Sequence, residues 1–243
     1  PKVLISDKMS PKAADIFKAN KIDVDTITGL SEDELCKIIG EYDGLAIRSS
    51  TTANEKVIKE AKSLKVIGRA GIGVDNVDQV AATANGVVVM NTPFGNSITT
   101  AEHSIALLMS LARRVPAANA STHAGKWEKS KFMGVEVASK TLGLIGCGNI
   151  GSIVADRAQG LKMKVIGFDP YLSAERAKGL NIEKVELDEL LKRADFISLH
   201  TPLNETTKGI LNAKSLAKAK KGVRIINCAR GGLIIEKDLK DAI

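Results

Sequence analysis

Apolar residues fall in two patterns along this chain: short runs rich in β-branched residues, and stretches in which they recur every three or four positions. "KVLIS" (2–6), "IDVDTI" (22–27), "GLAIRS" (44–49), "LKVIG" (64–68) and "GVVVMN" (86–91) have the first pattern and are predicted strands. "SPKAADIFKAN" and "SEDELCKIIGEY" lie between them and are predicted helices. Strands that alternate with helices point to parallel βαβ units. The alternation stops after Asn91. "TPFGNSITTAEHSIALLMSLARRV" has turn residues, then Thr99 with Glu102 three positions on as a capping box, then Ala101, Ile105, Leu108, Met109 and Ala112 on one helical face. This reads as a hinge followed by a long helix. Strand-like runs resume with "TLGLIG" (141–146), "KVIGFD" (164–169), "DFISLH" (195–200) and "VRIINCA" (223–229). The pattern predicts an α/β chain of two doubly wound parallel-sheet domains, 1–92 and 93–243, joined near residues 91–97.

Composition narrows the function classes. A chain of 243 residues with 44% hydrophobic and 26% charged content has enough apolar material for two cores. Basic residues outnumber acidic ones, 35 to 28, but they are scattered, and aromatics make up only 3%, so no stacking platform for nucleic acid accompanies the charge. Nucleic acid is therefore not an expected partner. Cys36, Cys147 and Cys228 are odd in number and show no metal-binding spacing, which fits a reducing, cytoplasmic setting and no bound metal. No run of about 18 apolar residues suggests a membrane span, and "PKVLISDK" lacks a signal-peptide core.

The most informative stretch is "SKTLGLIGCGNIGSIVADR" (139–157). Gly146, Gly148 and Gly151 have the spacing G-x-G-x-x-G, after a predicted strand and at the start of a predicted helix. In that setting the first glycine makes the tight turn, the second leaves room for a pyrophosphate near the backbone, and the third lets helix and strand pack closely. The next strand ends in Asp169, 18 residues after Gly151, the place of an acid that binds adenosine ribose hydroxyls and repels the 2′-phosphate of NADP. NAD is the cofactor this predicts.

Two further strand ends belong on the same rim, since ligands of open parallel sheets bind beyond the carboxyl ends of the strands. "LHTP" places His200, Thr201 and Pro202 there, and "NCARGGLI" places Asn227, Cys228, Ala229 and Arg230. The planar fork of Arg230 suits a carboxylate, although an arginine before two glycines also suits a plain surface turn.

Seven stretches in order, "RAGIGVDNVD" (69–78), "NTPFGNS" (91–97), "GKWEKSKFMG" (125–134), "GCGNIG" (146–151), "FDP" (168–170), "HTP" (200–202) and "NCARGG" (227–232), closely resemble the D-2-hydroxyacid dehydrogenases over essentially the whole chain. The resemblance implies a flavodoxin-like substrate domain that comes first and a Rossmann NAD-binding domain inserted after it. By resemblance, Arg230 is the catalytic arginine that holds the substrate carboxylate and polarises the neighbouring carbonyl. Asn149, Ile150, Asp169, Thr201, Pro202, Cys228 and Ala229 resemble cofactor contacts, and Ile72 matches a position beside the nicotinamide. Gly71 and Gly73 would offer N–H groups to the carboxylate. Arg48 and Asn96 resemble substrate-binding residues, and a second cation suits a phosphorylated 2-hydroxy acid. Trp127, Lys129 and Lys131 resemble a loop that reaches into a partner subunit, so self-association through the cofactor domain as a homodimer or homotetramer is implied; packing in the chain's own core is the plainer reading of Trp127.

The implied activity is NAD-linked oxidation of a phosphorylated D-2-hydroxy acid. The alternatives are a relative with another substrate, such as a glyoxylate or hydroxypyruvate reductase, and a non-catalytic NAD-sensing interaction protein of the corepressor type. The sequence departs from the family pattern at Ile235, where an acid usually stands, and at Cys147, where a larger apolar residue is usual. The family's general acid/base, a histidine paired with a carboxylate, is not matched. His103 is read as beginning a helix, His123 as lying in a polar loop, and His200 as preceding the Thr-Pro that faces cofactor. "EKDLKDAI" reads as opening turns of a helix with Leu239 and Ile243 on one face, so the native sequence is expected to continue for roughly 40 residues or more.

Overall fold

A strand whose side chains are apolar on both faces is stable only where helices cover both faces of its sheet. The computed structural model describes residues 1–243 and divides into two units, Pro1–Asn96 and Ser97–Ile243, each built this way.

In the first unit β1 (Lys2–Ile5), α1 (Lys12–Ala19), β2 (Asp23–Thr26), α2 (Glu32–Ile38), β3 (Gly44–Ile47), α3 (Glu55–Glu60), β4 (Val66–Arg69), α4 (Gln79–Ala84) and β5 (Val88–Asn91) follow in turn. All five strands pair in parallel, in the order β2-β1-β3-β4-β5. Leu4, Leu45, Ile47 and Ile67 of the inner strands are buried in one cluster with Leu35, Ile39, Val57 and Ile58 from the flanking helical segments. The edge strand β2 carries Asp23 and Asp25, charges that discourage further strand pairing. Helix starts are chemically marked. Ser31 and Glu34 form a reciprocal capping box on α2, and Asn54 and Asp78 cap α3 and α4.

The second unit begins with α5 (Ser97–Arg113) and α6 (Val115–His123), then runs β6 (Thr141–Ile145), α7 (Asn149–Gly160), β7 (Lys164–Phe168), α8 (Ala174–Gly179), β8 (Glu183–Lys184), α9 (Leu187–Arg193), β9 (Phe196–Leu199), α10 (Ala213–Leu216), β10 (Arg224–Asn227) and α11 (Glu236–Ala242). Its sheet is also parallel, ordered β10-β9-β6-β7-β8. Counted from β6 this is 3-2-1-4-5, the order of a dinucleotide-binding sheet, whose direction of winding reverses between β6 and β9. One face packs on Leu108, Val154, Ala155 and Ala158 of α5 and α7, the other on Leu190 and Leu191 of α9. Fully burying a side chain such as Phe196 or Leu144 is worth about 1.5–3 kcal/mol each, so these central strands hold the sheet.

Four local expectations need correction. The helix placed at Thr99 starts two residues earlier, at Ser97, so Thr99 and Glu102 lie inside it and do not cap it. The reason is packing: Ser97, Ala101, Ser104, Leu108 and Ala112 form one buried stripe, and the small residues at its start let the helix continue back to the end of the turn. His103 accordingly lies in the second turn of α5 and does not begin a helix. His123 is the last residue of α6, a helix with no buried residue and hence no apolar stripe to announce it. Trp127 does not pack in this chain's core; it is 85% exposed. The helix read in "EKDLKDAI" is present as α11, with Leu239 half-buried and Ile243 exposed. No helix is long and apolar enough to cross a membrane.

Candidate functional site

In the second unit the candidate residues converge at the carboxyl ends of β6, β7, β9 and β10. β6 runs into Gly146, whose φ of +95° is one that side-chain-bearing residues rarely adopt. A Cβ there would sit 2.7 Å from the His200 carbonyl carbon, so the turn is also pressed against the end of β9. A Cβ on Gly151 would come within 2.2 Å of the Gly146 carbonyl oxygen, which shows how closely α7 approaches the strand. Gly148 differs: nothing lies within 4 Å of its would-be Cβ, and it supplies no side chain to cap α7. The leading N–H groups of Asn149 and Ile150 therefore stand at a helix start whose positive dipole suits an anion. An open cradle in front of a bare helix start fits a pyrophosphate.

Asp169 closes this loop. One of its carboxylate oxygens accepts from the Cys147 N–H at 2.8 Å and the other from the Tyr171 N–H at 2.8 Å. Each oxygen keeps further lone-pair capacity for a ribose hydroxyl. Cys147 is buried, and burial together with the Asp169 charge pushes its thiol up to about 12, so it remains a neutral, packed side chain.

His200 ends β9. Its Nε2 hydrogen-bonds with Ser198 Oγ at 2.8 Å, its Nδ1 is buried without a partner, and burial pushes its pKa down to about 4. A ring that stays neutral to that pH is a poor fit to a base that must cycle near neutrality. Thr201 is half-buried and Pro202 exposed in the turn that follows.

After β10, the Asn227 side chain organises the arginine loop. Its Oδ1 accepts from the Ala229 N–H at 3.0 Å and its Nδ2 donates to the Arg230 carbonyl at 2.8 Å. Arg230 is half-buried and donates through Nη1 to the Ala229 carbonyl at 2.9 Å. Cys228 and Ala229 are half-buried beside it.

In the first unit Arg48 follows β3, Gly71, Ile72 and Gly73 follow β4, and Asn96 lies exposed after β5. Arg48 is exposed and reaches the Lys8 carbonyl with Nη1 at 3.4 Å. The Gly71 N–H, read from the resemblance as open to substrate, donates here to the Arg69 carbonyl at 2.9 Å. The Ile72 carbonyl accepts from Asn91 Nδ2 at 2.7 Å, which pins this loop to β5.

Sequence reading passed over Arg69. Its Nε donates to the Arg48 carbonyl at 3.3 Å and its Nη2 to Ser49 Oγ at 3.1 Å. A Cβ at Gly71 would lie 1.9 Å from Arg69 Nη1, so the glycine is what admits this guanidinium. The signal was available, an arginine at a strand end followed by A-G-x-G, but only the fold shows what it touches.

Comparisons with known proteins show the family. Residues 105–243 match the family model described as D-isomer specific 2-hydroxyacid dehydrogenase, NAD binding domain. Along its whole length the chain is 49% identical to a D-3-phosphoglycerate dehydrogenase of Synechocystis, covering 44% of that protein. It is 44% identical to one of Archaeoglobus fulgidus, covering 46%. The chain thus spans less than half the length of these curated relatives. A crystal structure of a Thermus thermophilus protein superposes with a TM-score of 0.91 at 34% identity, over 100% of this chain and 78% of that one.

Proposed function

Because the chain belongs to the D-isomer specific 2-hydroxyacid dehydrogenase family and carries its NAD-binding domain, we propose that it oxidises 3-phospho-D-glycerate to 3-phosphohydroxypyruvate, the entry to serine by the phosphorylated route. The observation that carries the reading is Asp169. A carboxylate bonded into the glycine loop at the end of β7 favours a dinucleotide with free ribose hydroxyls and disfavours one with a 2′-phosphate. Identity of 44–49% over the whole chain to proteins named D-3-phosphoglycerate dehydrogenase supports the substrate.

In this reading the first unit, with its strand order 2-1-3-4-5, is a flavodoxin-like substrate domain, and the second is the cofactor domain. Gly146, Gly148 and Gly151 shape the pyrophosphate cradle, with Asn149 and Ile150 giving the first N–H groups of α7. Thr201, Pro202, Cys228 and Ala229 line the same rim, and Ile72 is the cofactor contact proposed from the first unit. When bound, the nicotinamide supplies the hydride acceptor. Arg230 grips the carboxylate with its fork and polarises the neighbouring carbonyl, drawing electron density toward its oxygen. In the first unit Arg48, Gly73 and Asn96 are the substrate-binding residues, while the Gly71 N–H is already given to the Arg69 carbonyl. His200, neutral and bonded to Ser198, orders the rim and does not take the hydroxyl proton; that proton would pass to the histidine–carboxylate pair of the family, which this sequence does not match. Exposed Trp127, with Lys129 and Lys131, docks a second copy of the chain.

Reduction of 3-phosphohydroxypyruvate by the protein, followed at the nicotinamide absorbance, tests the reading, with glyoxylate and pyruvate alongside. Preference for the phosphorylated substrate with NADH supports it. Faster turnover of an unphosphorylated 2-oxo acid overturns the substrate, and NAD binding without turnover of any of them by a protein that also supplies the histidine–carboxylate pair overturns the activity.

A further inference from the structure

The loop that carries Arg48 is exposed at Arg48, Ser49 and Ser50, yet it is bonded on nearly every side. Beneath it, at the end of β1, lies Asp7, only 3% exposed. One Asp7 oxygen, Oδ2, accepts three backbone N–H groups, from Arg48 at 2.6 Å, Ser50 at 3.2 Å and Thr51 at 3.2 Å. The other, Oδ1, accepts from Thr51 Oγ1 at 2.7 Å, and that hydroxyl lies 2.9 Å from Ser6 Oγ. From the opposite side Asn76 Nδ2 donates to the carbonyls of Arg48 at 2.8 Å and Thr51 at 2.6 Å.

A buried carboxylate is costly unless its lone pairs are met, and here the donors come from one loop and not from a cation. What this arrangement holds still buries little apolar surface, since of residues 48–51 only Thr51 is buried. The core does not require it. An exposed arginine, by contrast, has a long and mobile side chain, and an anion is gripped well only if the backbone under it is already in place.

We propose that Asp7 is a positioning residue: it fixes the 48–51 loop so that Arg48 is presented to the anionic substrate in one geometry. This rests on the reading of Arg48 as a substrate ligand. The three donors converging on one oxygen also explain why an acid stands at position 7: a serine or threonine hydroxyl is shorter, and its single oxygen cannot serve both the three N–H groups and Thr51 Oγ1.

The test compares the wild-type protein with Asp7→Ala and Asp7→Asn. The asparagine can turn its amide oxygen to the three N–H groups and give its amide N–H to Thr51 Oγ1, so it should restore most of what alanine loses. In Asp7→Ala, amide hydrogen exchange at Arg48, Ser50 and Thr51 should quicken while that of β4 and β5 stays slow. KM for 3-phosphoglycerate should rise about tenfold or more, with the Kd for NAD unchanged. Unchanged exchange in the loop, unchanged KM, or a loss of NAD affinity equal to the loss of substrate affinity overturns the proposal. If Asp7→Ala does not fold, Thr51→Val replaces it and should shift exchange and KM in the same direction by a smaller factor; no shift overturns the proposal equally. A wild-type protein that neither binds nor turns over phosphoglycerate refutes the functional reading instead, and that result is read without any variant.

Discussion

The Asp169 carboxylate accepts a hydrogen bond from the backbone N–H of Cys147 at 2.8 Å, and this joins the end of β7 to the glycine loop at the end of β6. The acid proposed to select the dinucleotide is therefore also a strut of the glycine loop. Any substitution at position 169 acts on both.

Replacing Asp169 by Ala should thus weaken NAD for two reasons, loss of the ribose acceptor and loosening of the loop, while removing the charge that repels a 2′-phosphate. The relative affinity for NADP should improve by about 1–3 kcal/mol, the range for a hydrogen bond to a charged group. Asp169→Asn keeps an acceptor for the Cys147 N–H and should retain the loop while losing the discrimination. Titration calorimetry with both dinucleotides checks this, and an unchanged NAD to NADP ratio in Asp169→Ala removes the acid from cofactor choice.

Arg230→Lys preserves the charge and discards the fork. With one good charged hydrogen bond lost at the reacting carboxylate, kcat/KM for the hydroxy acid should fall about 10- to 100-fold. The Kd for NAD should stay near the wild-type value, because the Asn227 side chain, bonded to the Ala229 N–H and the Arg230 carbonyl, still organises the loop in the variant. Steady-state kinetics together with a binding titration separates the two, and equal activity of the variant takes Arg230 out of the mechanism.

The same residues show what a sequence discloses. β6, β9 and the glycine loop are legible because a parallel strand buried on both faces is apolar at nearly every position, and a tight turn against a helix start demands glycine at fixed spacing. β8 is not legible: Glu183 and Lys184 form a two-residue charged edge. The start of α5 was misplaced because a capping pattern at Thr99 competes with a buried stripe that begins at Ser97, and packing prevailed. Asp7, Arg69 and Asn76 escape a reading by spacing altogether, since their partners lie 20 or more positions away and are brought to them only by the sheet order.

His200 links burial to acid stability. Its folded pKa of about 4 lies below the ordinary 6.5, so between those values the unfolded chain binds a proton that the folded one does not. Stability should therefore be full above about pH 6.5 and fall as the pH drops toward 4, by on the order of 2–3 kcal/mol. Asp7 and Asp195, whose pKa values are lowered, lose their contribution only below that window, as pH falls through their own folded values. Urea unfolding from pH 7.5 to 4.5 should show the slope in wild type and a flatter line in His200→Asn. Parallel lines for the two proteins would show that the ring does not carry it.

Gly148 and Gly151 stand three positions apart in one motif, and the structure gives them opposite reasons to be glycine. At Gly151 a methyl group would meet the Gly146 carbonyl oxygen at 2.2 Å, backbone against helix, where nothing flexible can yield. Gly151→Ala must push α7 off β6, and overpacking of this kind costs about 1–3 kcal/mol or more, visible as a lower urea midpoint without any ligand present. At Gly148 the φ of −72° suits any residue, and a methyl group would meet nothing within 4 Å. Gly148→Ala should fold with the stability of wild type, and by the protein's own packing it is silent. If the open volume there is the place of a pyrophosphate, the methyl group stands where the phosphate oxygens approach, and the Kd for NAD should rise about tenfold or more. The pair separates the two roles in one experiment: a stability loss at 151 that exceeds that at 148, and an affinity loss at 148 with no stability loss. Wild-type affinity for NAD in Gly148→Ala would mean that the cradle lies elsewhere along the rim.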